Sequence, residues 1–337
     1  MVFVKTTVTS NRKVTKHRNK DFVNIQSRFH TSSEFCNKFG ARIGDRIKMK
    51  IEDSVFVATV SDFITLPWKT VITSDLEIEK IKSGTLIKKP VELEVLEIFK
   101  INRNVDKDST FTAILAHLFS DGSISPSQAH FTNKETEAIE HFQSLMTRKF
   151  PASNIKTWCD DGILHAIVED VGVLSILTQF VDKFGRKSIT NPHVPEFIQK
   201  DTELCRTWLK HAFSDEGWVN TASSEVRIGR NVRFRNDDLV NDLPWKFERT
   251  LNGGFNITSA KLDKYQLGLI PQNNLLHDES SMLKNLGIKF GMRPRKKVNL
   301  IDDSISAQIE LSVSAKRFSE IGFCLTRKQK ELDRLLN

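Results

Sequence analysis

The feature that most constrains the fold is a helical segment that occurs twice and ends each time in an acidic residue followed by glycine. The first copy, Ile-Leu-Ala-His-Leu-Phe-Ser-Asp-Gly, ends at Asp121 and Gly122. The second, Leu-Lys-His-Ala-Phe-Ser-Asp-Glu-Gly, ends at Glu216 and Gly217. A carboxylate at the C-terminal end of a helix meets the partial negative charge of that end. Two such placements at matching points of a repeat indicate carboxylates held for a cation.

The residues after the first acid alternate between strand and helix patterns. Two short strands broken at Pro126 lead to an amphipathic helix over 135–150. A hairpin over 155–168 turns at Asp160-Asp161-Gly162, and a helical stretch over 171–184 follows. The inward face of the first amphipathic helix should carry five apolar residues: Ala138, Ile139, Phe142, Leu145 and Met146.

The residues after the second acid repeat this order with an insertion. A strand-like stretch over 218–235 is followed by an insertion at about 237–278. The later elements are predicted as a helix over 280–286, strands over 288–300 and 306–313, and helices over 315–321 and 327–335. An internal repeat of this kind predicts an α+β fold with two αββαββα units, 105–199 and 200–337.

The first hundred residues follow a different pattern. Residues 1–104 carry short runs of β-branched and apolar residues, which predict a small β-rich N-terminal domain. Its opening stretch is basic up to Lys20 and is expected to be either a solvated arm or a segment that contacts DNA phosphate. The segment from Phe29 to Lys50 resembles the swapped-hairpin DNA-binding module of AbrB-type proteins. That resemblance implies that the domain binds DNA or pairs with a second copy of the chain.

The composition indicates which classes of partner and which cellular compartment to expect. A formal net charge of +8 favours a polyanion such as nucleic acid, although a merely basic protein would have the same balance. No run of about 18 apolar residues occurs and the first ten residues lack the apolar core of a secretory signal, so neither a membrane partner nor secretion is expected. Four widely spaced cysteines, without a C-x-x-C pair, fit a reducing cytoplasmic or organellar compartment: Cys36, Cys159, Cys205 and Cys324.

The paired acidic segments resemble the two motifs of LAGLIDADG (dodecapeptide) homing endonucleases. Flanking segments resemble that family as well: Val194–Ile198, Leu283–Ile288 and Ile321–Lys328. The resemblance covers roughly residues 110–337. It implies two units that form a DNA-binding saddle, with Asp121 and Glu216 binding Mg²⁺ (Mn²⁺ may substitute) for double-strand cleavage. No organic cofactor is implied, and two motifs in one chain imply a monomer.

The resemblance also implies close packing of the motif helices and a basic residue near each acid. Small residues allow close packing, which Ala116 fits and His211, at the equivalent position, does not. The basic role falls on Lys187 in the first half and on Lys328 in the second. Competing candidates for that role remain, namely Lys200, Lys296 and Lys297.

The predicted DNA contacts lie on strands. Alternation over 226–235 places polar residues on one face, Arg227, Asn231, Arg233 and Arg235, opposite an apolar face. Guanidinium groups in that arrangement suit guanine edges or phosphates. The first unit offers more polar counterparts, Ser125, Ser127, His130 and Asn133. A basic run is expected to bind phosphate: Arg293, Arg295, Lys296 and Lys297.

Three functions fit these observations. The retained acids favour a site-specific homing endonuclease. A DNA- or RNA-binding relative that no longer cuts, such as a transcription regulator or an intron maturase, would keep the fold, and His211 and the additional N-terminal domain favour it. A generic basic binding protein would make the motif match accidental.

Overall fold

The computed structural model describes residues 2–17, 20–30, 40–51, 54–60, 63–65, 69–71, 86–100, 103–249, 255–301 and 303–337. The chain forms two compact units, one of Met1–Asn104 with Asp170–Thr178 and one of Val105–Glu169 with Gln179–Asn337. Both are mixed α/β units whose strands pair antiparallel. Within the described ranges, no helix has the length and apolar character that crossing a membrane would require.

The described residues of the first unit form seven strands and one helix. They are β1 (Val2–His17), β2 (Lys20–His30), β3 (Arg46–Ile51), β4 (Ser54–Thr59), β5 (Phe63–Thr65), β6 (Lys69–Val71), β7 (Leu86–Phe99) and a helix at Val171–Leu177. The strand order is β4-β3-β7-β1-β2-β5, and β6 also pairs with β2.

The opening basic stretch forms a paired strand and not the free arm that was predicted. β1 pairs with β2, where Thr9 lies opposite Arg28, and with β7, where Val2 lies opposite Val95. The stretch is rich in Val and Thr, whose branched side chains favour strands over coil. The AbrB-like segment is divided between the end of β2 and β3, and its residues 31–39 lie outside the described residues. The AbrB resemblance therefore stays a prediction.

The second unit begins with two helices and two hairpins. α1 (Ser109–Phe119) is followed by β8 (Gly122–Ile124), β9 (Ala129–Asn133), α2 (Thr136–Lys149), β10 (Ile155–Asp160) and β11 (Ile163–Val168). These strands form a sheet of order β10-β11-β9-β8. The five apolar residues expected on the inner face of α2 are all buried. At the predicted hairpin turn, Asp161 and Gly162 have φ of 47° and 74°, as a two-residue turn between β10 and β11 requires.

The chain then passes through α3 (Val171–Leu177, in the first unit), α4 (Lys187–Thr190) and α5 (Glu196–Gln199) to the second acidic helix, α6 (Thr202–Glu216). After it come β12 (Gly217–Asn220), β13 (Glu225–Phe234), α7 (Asp237–Asp242), β14 (Lys246–Arg249), β15 (Phe255–Lys261) and α8 (Lys264–Leu267). The last elements are α9 (Asn274–Asn285), β16 (Phe290–Ile301), β17 (Ser304–Ser314), α10 (Ala315–Phe318) and α11 (Thr326–Leu336). The order helix, two strands, helix, two strands runs from α1 to β11, and it recurs from α6 to β17 when the inserted elements α7, β14, β15 and α8 are set aside.

The inserted segment contributes to the second sheet. β14 and β15 extend that sheet to six strands, in the order β12-β13-β17-β16-β15-β14. The helix after the insertion begins earlier than predicted, at Asn274, because the Asn273 side chain accepts the amide hydrogen of Leu276 and caps it. The insertion therefore adds two strands beside β16 rather than a loop.

Candidate functional site

The two acidic helices pack against each other in the second unit. α1 begins where the Asp108 side chain accepts from the Phe111 amide, and every residue from Phe111 to Phe119 is buried. A helix that is buried all round lies in the middle of its unit. α6 packs on it and buries Trp208, Leu209 and the residues from His211 to Asp215. Asp121 follows the end of α1, and Glu216 is the last residue of α6.

Both glycines of the repeat lie where another part of the backbone comes too close to leave room for a side chain. Neither of them has a left-handed backbone conformation that would itself favour glycine. Gly217 is extended, with φ of −85°. A Cβ added there would lie 2.5 Å from the Phe213 carbonyl oxygen, and one added at Gly122 would lie 2.7 Å from the His130 carbonyl oxygen. The glycines thus let each acid sit where helix and strand backbones converge.

The Asp121 carboxyl is half-buried and surrounded by other acids. Its Oδ2 accepts a hydrogen bond from Asn133 Nδ2 at 3.1 Å, and its backbone carbonyl accepts from the Thr132 hydroxyl at 2.9 Å. Burial, together with the charges of Asp215 and Glu216, raises its pKa to about 7 against the opposing effect of Lys187 and Lys328. The fold thus opposes the charged form of this group.

Glu216 is held by a buried arginine that sequence analysis missed. Arg230 Nη1 lies 2.9 Å from Glu216 Oε2, and its Nη2 lies 2.6 Å from Oε1 of the fully buried Glu279. Trp208 Nε1 also donates to Glu279, at 3.1 Å. Burial alone would lower the pKa of Arg230, but the charges of Glu216 and Glu279 raise it above its usual value. Arg230 lies in phase with buried Val226, Ile228 and Val232 on β13, and this pattern could have identified it.

A second residue that sequence analysis missed is Asp215. Its Oδ2 lies 2.8 Å from Nδ1 of His117, so a fully buried pair links the two acidic helices. Burial raises the pKa of Asp215 well above its usual range and lowers that of His117 to about 3. Asp215 is therefore committed to a contact inside the unit.

The two predicted lysines occupy matching positions. Lys187 Nζ donates to the carbonyls of Phe119, at 3.0 Å, and of Ser120, beside Asp121. Lys328 Nζ donates to the carbonyls of Ser214, of Asp215 at 3.1 Å and of Gly217 at 2.7 Å, beside Glu216. Each ammonium group thus caps one acidic helix, which its macrodipole favours.

Both lysines are partly removed from water. Burial lowers the pKa of Lys187 to about 8, an effect that the nearby Glu216 opposes, and it lowers that of Lys328. Among the competing lysines, Lys200 is 71% exposed and pairs with Glu196 at the surface. Lys296 and Lys297 lie on β16 and are exposed.

The predicted alternation on β13 is confirmed, and one member of the polar set lies beyond the strand. Arg227, Asn231 and Arg233 lie on the face opposite the buried residues, whereas β13 ends at Phe234. Arg235 is 71% exposed and pairs with Asp237 at 2.7 Å. Arg227 is less accessible, because its side chain donates to Glu225 and is only 16% exposed.

The basic run on β16 surrounds one carboxylate. Arg295 pairs with Glu310, and Arg293 Nε lies 3.9 Å from the same side chain. The register of β16 against β17 shifts between Pro294 and Val298, so the stretch with Arg295, Lys296 and Lys297 departs from regular pairing. Such an irregularity re-aims side chains away from the ladder.

The four residues predicted for the first unit separate into two groups. Ser125 and Ser127 lie in the turn between β8 and β9, where their hydroxyls are 3.2 Å apart. His130 and Asn133 lie on β9. His130 Nε2 is 3.0 Å from His165 Nδ1, and the exposed Trp158 ring stacks on His165 with centroids 4.7 Å apart. Asn133 contacts Asp121, so its amide positions the acid.

No family model matches the chain, and no curated protein matches it. Its structure is similar to solved structures of the homing endonuclease I-DmoI, for example a set of mesophilic variants with 14% identity and a TM-score of 0.35, covering 63% of this chain and 87% of that one. An I-DmoI variant with its target DNA and Mn has 12% identity and a TM-score of 0.35, with coverage of 63% and 92%.

Full-length WhiA from Thermatoga maritima is a further similar structure. It has 12% identity and a TM-score of 0.37, and the match covers 69% of this chain and 62% of that one.

Proposed function

We propose that residues 105–337 form a LAGLIDADG-type endonuclease that hydrolyses both strands of a long duplex DNA site with a divalent metal. The observation that supports this most is the matched construction of two helix ends. Each packed helix ends in an acid, a glycine that admits a second backbone, and a lysine bound to the last carbonyls. The two halves, 105–199 and 200–337, would be related by a pseudo-two-fold axis between α1 and α6.

The donor chemistry fits Mg²⁺ or Mn²⁺. Four carboxyl groups, those of Asp121, Asp215, Glu216 and Glu279, oppose three cations, Lys187, Lys328 and Arg230, which leaves one negative charge if all are ionised. Burial, and after it the charges of Asp215 and Glu216, raises the pKa of Asp121, and hard carboxylate oxygens suit these ions. A bound ion would supply an activated water and stabilise the leaving oxygen.

The chain's own residues would position and balance the charges of the reaction. Asn133 orients the Asp121 carboxyl, and Arg230 orients that of Glu216. With a pKa of about 8, Lys187 can hold or release a proton near neutral pH, next to Asp121. Lys328 would act on the other strand. In a partly water-excluded site, these charges interact more strongly than at the surface.

The six-stranded sheet is the better candidate for the larger share of DNA recognition. Asn231 and Arg233 on β13 would meet base edges, and the irregular stretch of β16 with Lys296 and Lys297 would meet phosphates. The first sheet would offer His130 and the serines at its turn. One chain with two unlike sheets needs no partner copy for this, so we propose a monomer, with the N-terminal domain as the place where a dimer could form.

A cleavage assay with neutralised acids tests the proposal. A duplex enriched from a random library by binding the full-length protein would serve as substrate, with Mg²⁺ or Mn²⁺. We expect Asp121→Asn and Glu216→Gln each to lower the cleavage rate by at least about a hundredfold while the dissociation constant changes less than about threefold, since an amide keeps the shape and loses the charge. Asp237→Asn, an exposed acid on the same unit, is the matched control. Near wild-type cleavage by either neutralised variant would refute the site.

One observation favours a second candidate, a DNA-binding protein that does not cut. Arg230 forms an ion pair with Glu216, and this pair engages the carboxylate that a metal ion would have to bind. If that pair is permanent, the wild-type protein will bind its duplex and leave both strands intact with every divalent ion.

A further inference from the structure

Four side chains with metal-binding atoms converge at one point of the second unit, and none of them is one of the acids discussed above. They are His117 on α1, His141 on α2, His211 on α6 and Cys324, which lies between α10 and α11. One donor atom from each lies within 4.8 Å of all the others. His211 is the residue at which the sequence departs from the small residue expected between packed helices.

His117 has one ring nitrogen that no described residue satisfies. Its side chain is completely buried, and Nδ1 is engaged by the Asp215 carboxyl at 2.8 Å. Nε2 has no hydrogen-bond partner among the described residues. A buried polar atom without a partner is costly and is rare in folded proteins. Because Nδ1 is taken, Nε2 is the atom that this ring can offer to the cluster.

The other two histidines, His141 and His211, face each other through their Nε2 atoms. His211 Nδ1 lies 2.7 Å from the Thr207 carbonyl oxygen, to which it donates, so the lone pair of that ring is on Nε2. Nε2 of His141 lies 3.1 Å from it, and the rings stack at 5.3 Å. In a direct hydrogen bond only one of the two nitrogens can use its lone pair. A cation between them would bind both.

Cys324 is fixed to the same helix as His211. Its backbone amide donates to the Ser214 hydroxyl at 2.8 Å, and that hydroxyl donates to the Lys210 carbonyl at 2.7 Å. The loop after α10 is thereby anchored to α6 one turn from His211. The position of the thiol is therefore set by the packing of the unit.

We propose that His117, His141, His211 and Cys324 bind a structural Zn²⁺ ion that joins the two acidic helices, α2 and the C-terminal loop. Three imidazoles and one thiolate are a donor set that Zn²⁺ favours and Mg²⁺ does not. Tetrahedral zinc, with bonds of about 2.0–2.3 Å, needs donor separations of about 3.3–3.8 Å. The cluster reaches that geometry by side-chain adjustments of about 1 Å.

The surroundings match what a metal-bound histidine requires. A ligand histidine commonly gives its other ring N–H to a carboxylate or to a backbone carbonyl. His117 has Asp215 for this purpose, and His211 has the Thr207 carbonyl. Four protein donors complete the coordination, so the ion has a structural role and leaves no position for substrate. The Cys324 thiol loses its proton to solvent when the ion binds.

Metal content and a cobalt spectrum test this proposal on the full-length chain. We expect purified protein to carry about one zinc per chain. Removal of the zinc and reloading with Co²⁺ should give the intense visible bands of a tetrahedral site together with a thiolate-to-cobalt absorption in the near ultraviolet. Removal of zinc should also lower the midpoint of thermal unfolding, and adding zinc back, but not Mg²⁺, should restore it.

Variants assign the ligands. Cys324→Ser should abolish the thiolate band and lower zinc affinity by at least about tenfold, whereas Cys205→Ser, a buried cysteine outside the cluster, should change neither. His141→Gln, at a half-buried position, should lower the affinity similarly, with His165→Gln as its control. A wild-type protein that binds neither zinc nor cobalt, or a Cys324→Ser variant that keeps the thiolate band, would overturn the proposal and leave a hydrogen-bonded histidine cluster. These readouts do not depend on DNA cleavage.

Discussion

Holding the Asp121 carboxylate in its buried position lowers the free energy of unfolding at neutral pH. Its pKa of about 7 exceeds its ordinary value of 3.8 because burial and two neighbouring acids oppose its charge. The native state therefore keeps a proton that the unfolded chain loses near pH 4. The stability that this proton confers is fully present below pH 4 and is lost as the pH rises through 7.

Neutralising Asp121 should remove that loss of stability. We expect Asp121→Asn to be more stable than the wild type by about 1–3 kcal/mol at pH 7.5 with no divalent metal added, and equally stable near pH 4. Urea denaturation at both pH values measures this. Asp333→Asn, at an exposed acid that accepts a hydrogen bond from Gln329, is the control and should show no such pH dependence. Equal stability of Asp121→Asn and the wild type at pH 7.5 would argue against a strained carboxyl.

Site residues could be predicted from the sequence where the internal repeat contains them. They could not be predicted where their role depends on a contact with a residue far away in the sequence. Asp121, Glu216 and two lysines were identified from the motifs and lie near the two helix ends. Asp215 gave no signal of its own, because its partner His117 lies on another helix. Arg230 did give one, a charge within the apolar phase of β13, but periodicity alone does not reveal that Glu279 would pair with it.

At the scale of elements, the two motif glycines make the helix-to-strand junctions possible. A side chain at either position would overlap backbone atoms that cannot move independently. We expect Gly217→Ala to lower the free energy of unfolding by about 1–3 kcal/mol or more, as overpacking does. Gly291→Ala on β16 is the control, since its added Cβ would meet only the Ser312 hydroxyl. Thermal unfolding of both variants measures the difference. A Gly217→Ala variant as stable as the wild type would contradict the close approach of the Phe213 backbone to Gly217.

The two strands proposed to contact DNA should contribute differently. Arg233→Ala on β13 should weaken binding by about 1–3 kcal/mol at particular base pairs and relax the preference there. Lys296→Ala on β16 should weaken binding to all sequences alike and reduce the salt dependence. Selection from a randomised duplex library at two salt concentrations separates these effects. If Arg233→Ala weakened binding uniformly, the sheet would only bind phosphates.

Element types followed from local patterns more readily than element boundaries did. The inner face of α2 and the β10–β11 turn were predicted correctly, because a strong apolar period and an Asp-Gly turn are local signals. The insertion was not resolved from sequence, since strand pairing such as that of Lys261 with Lys297 joins residues far apart. The early start of α9 depends on the Asn273 cap, a single side chain.

At the scale of the whole molecule, the two sheets of the repeat set the length of DNA that the proposed interface would contact. β13 has ten residues, which span about 33 Å, or roughly ten base pairs at 3.4 Å each. With a second, smaller sheet the site should exceed about 14 base pairs. The two sheets carry different residues, so a palindromic site is not expected. The resemblance to the paired motifs does not extend to the first unit. The sequence predicted that this unit is β-rich, but not the strand order of its seven-stranded sheet.

The central claim is that one chain cuts both strands of a long DNA site with a divalent metal. The most direct measurement is to incubate a random duplex library with the wild-type protein in Mg²⁺, and separately without divalent metal, and to sequence every newly formed end. We expect paired breaks on both strands at one long, non-palindromic sequence, only with metal, and none from Asp121→Asn. Enrichment of a bound sequence that stays uncut in both Mg²⁺ and Mn²⁺ would contradict the claim and leave a DNA-binding protein.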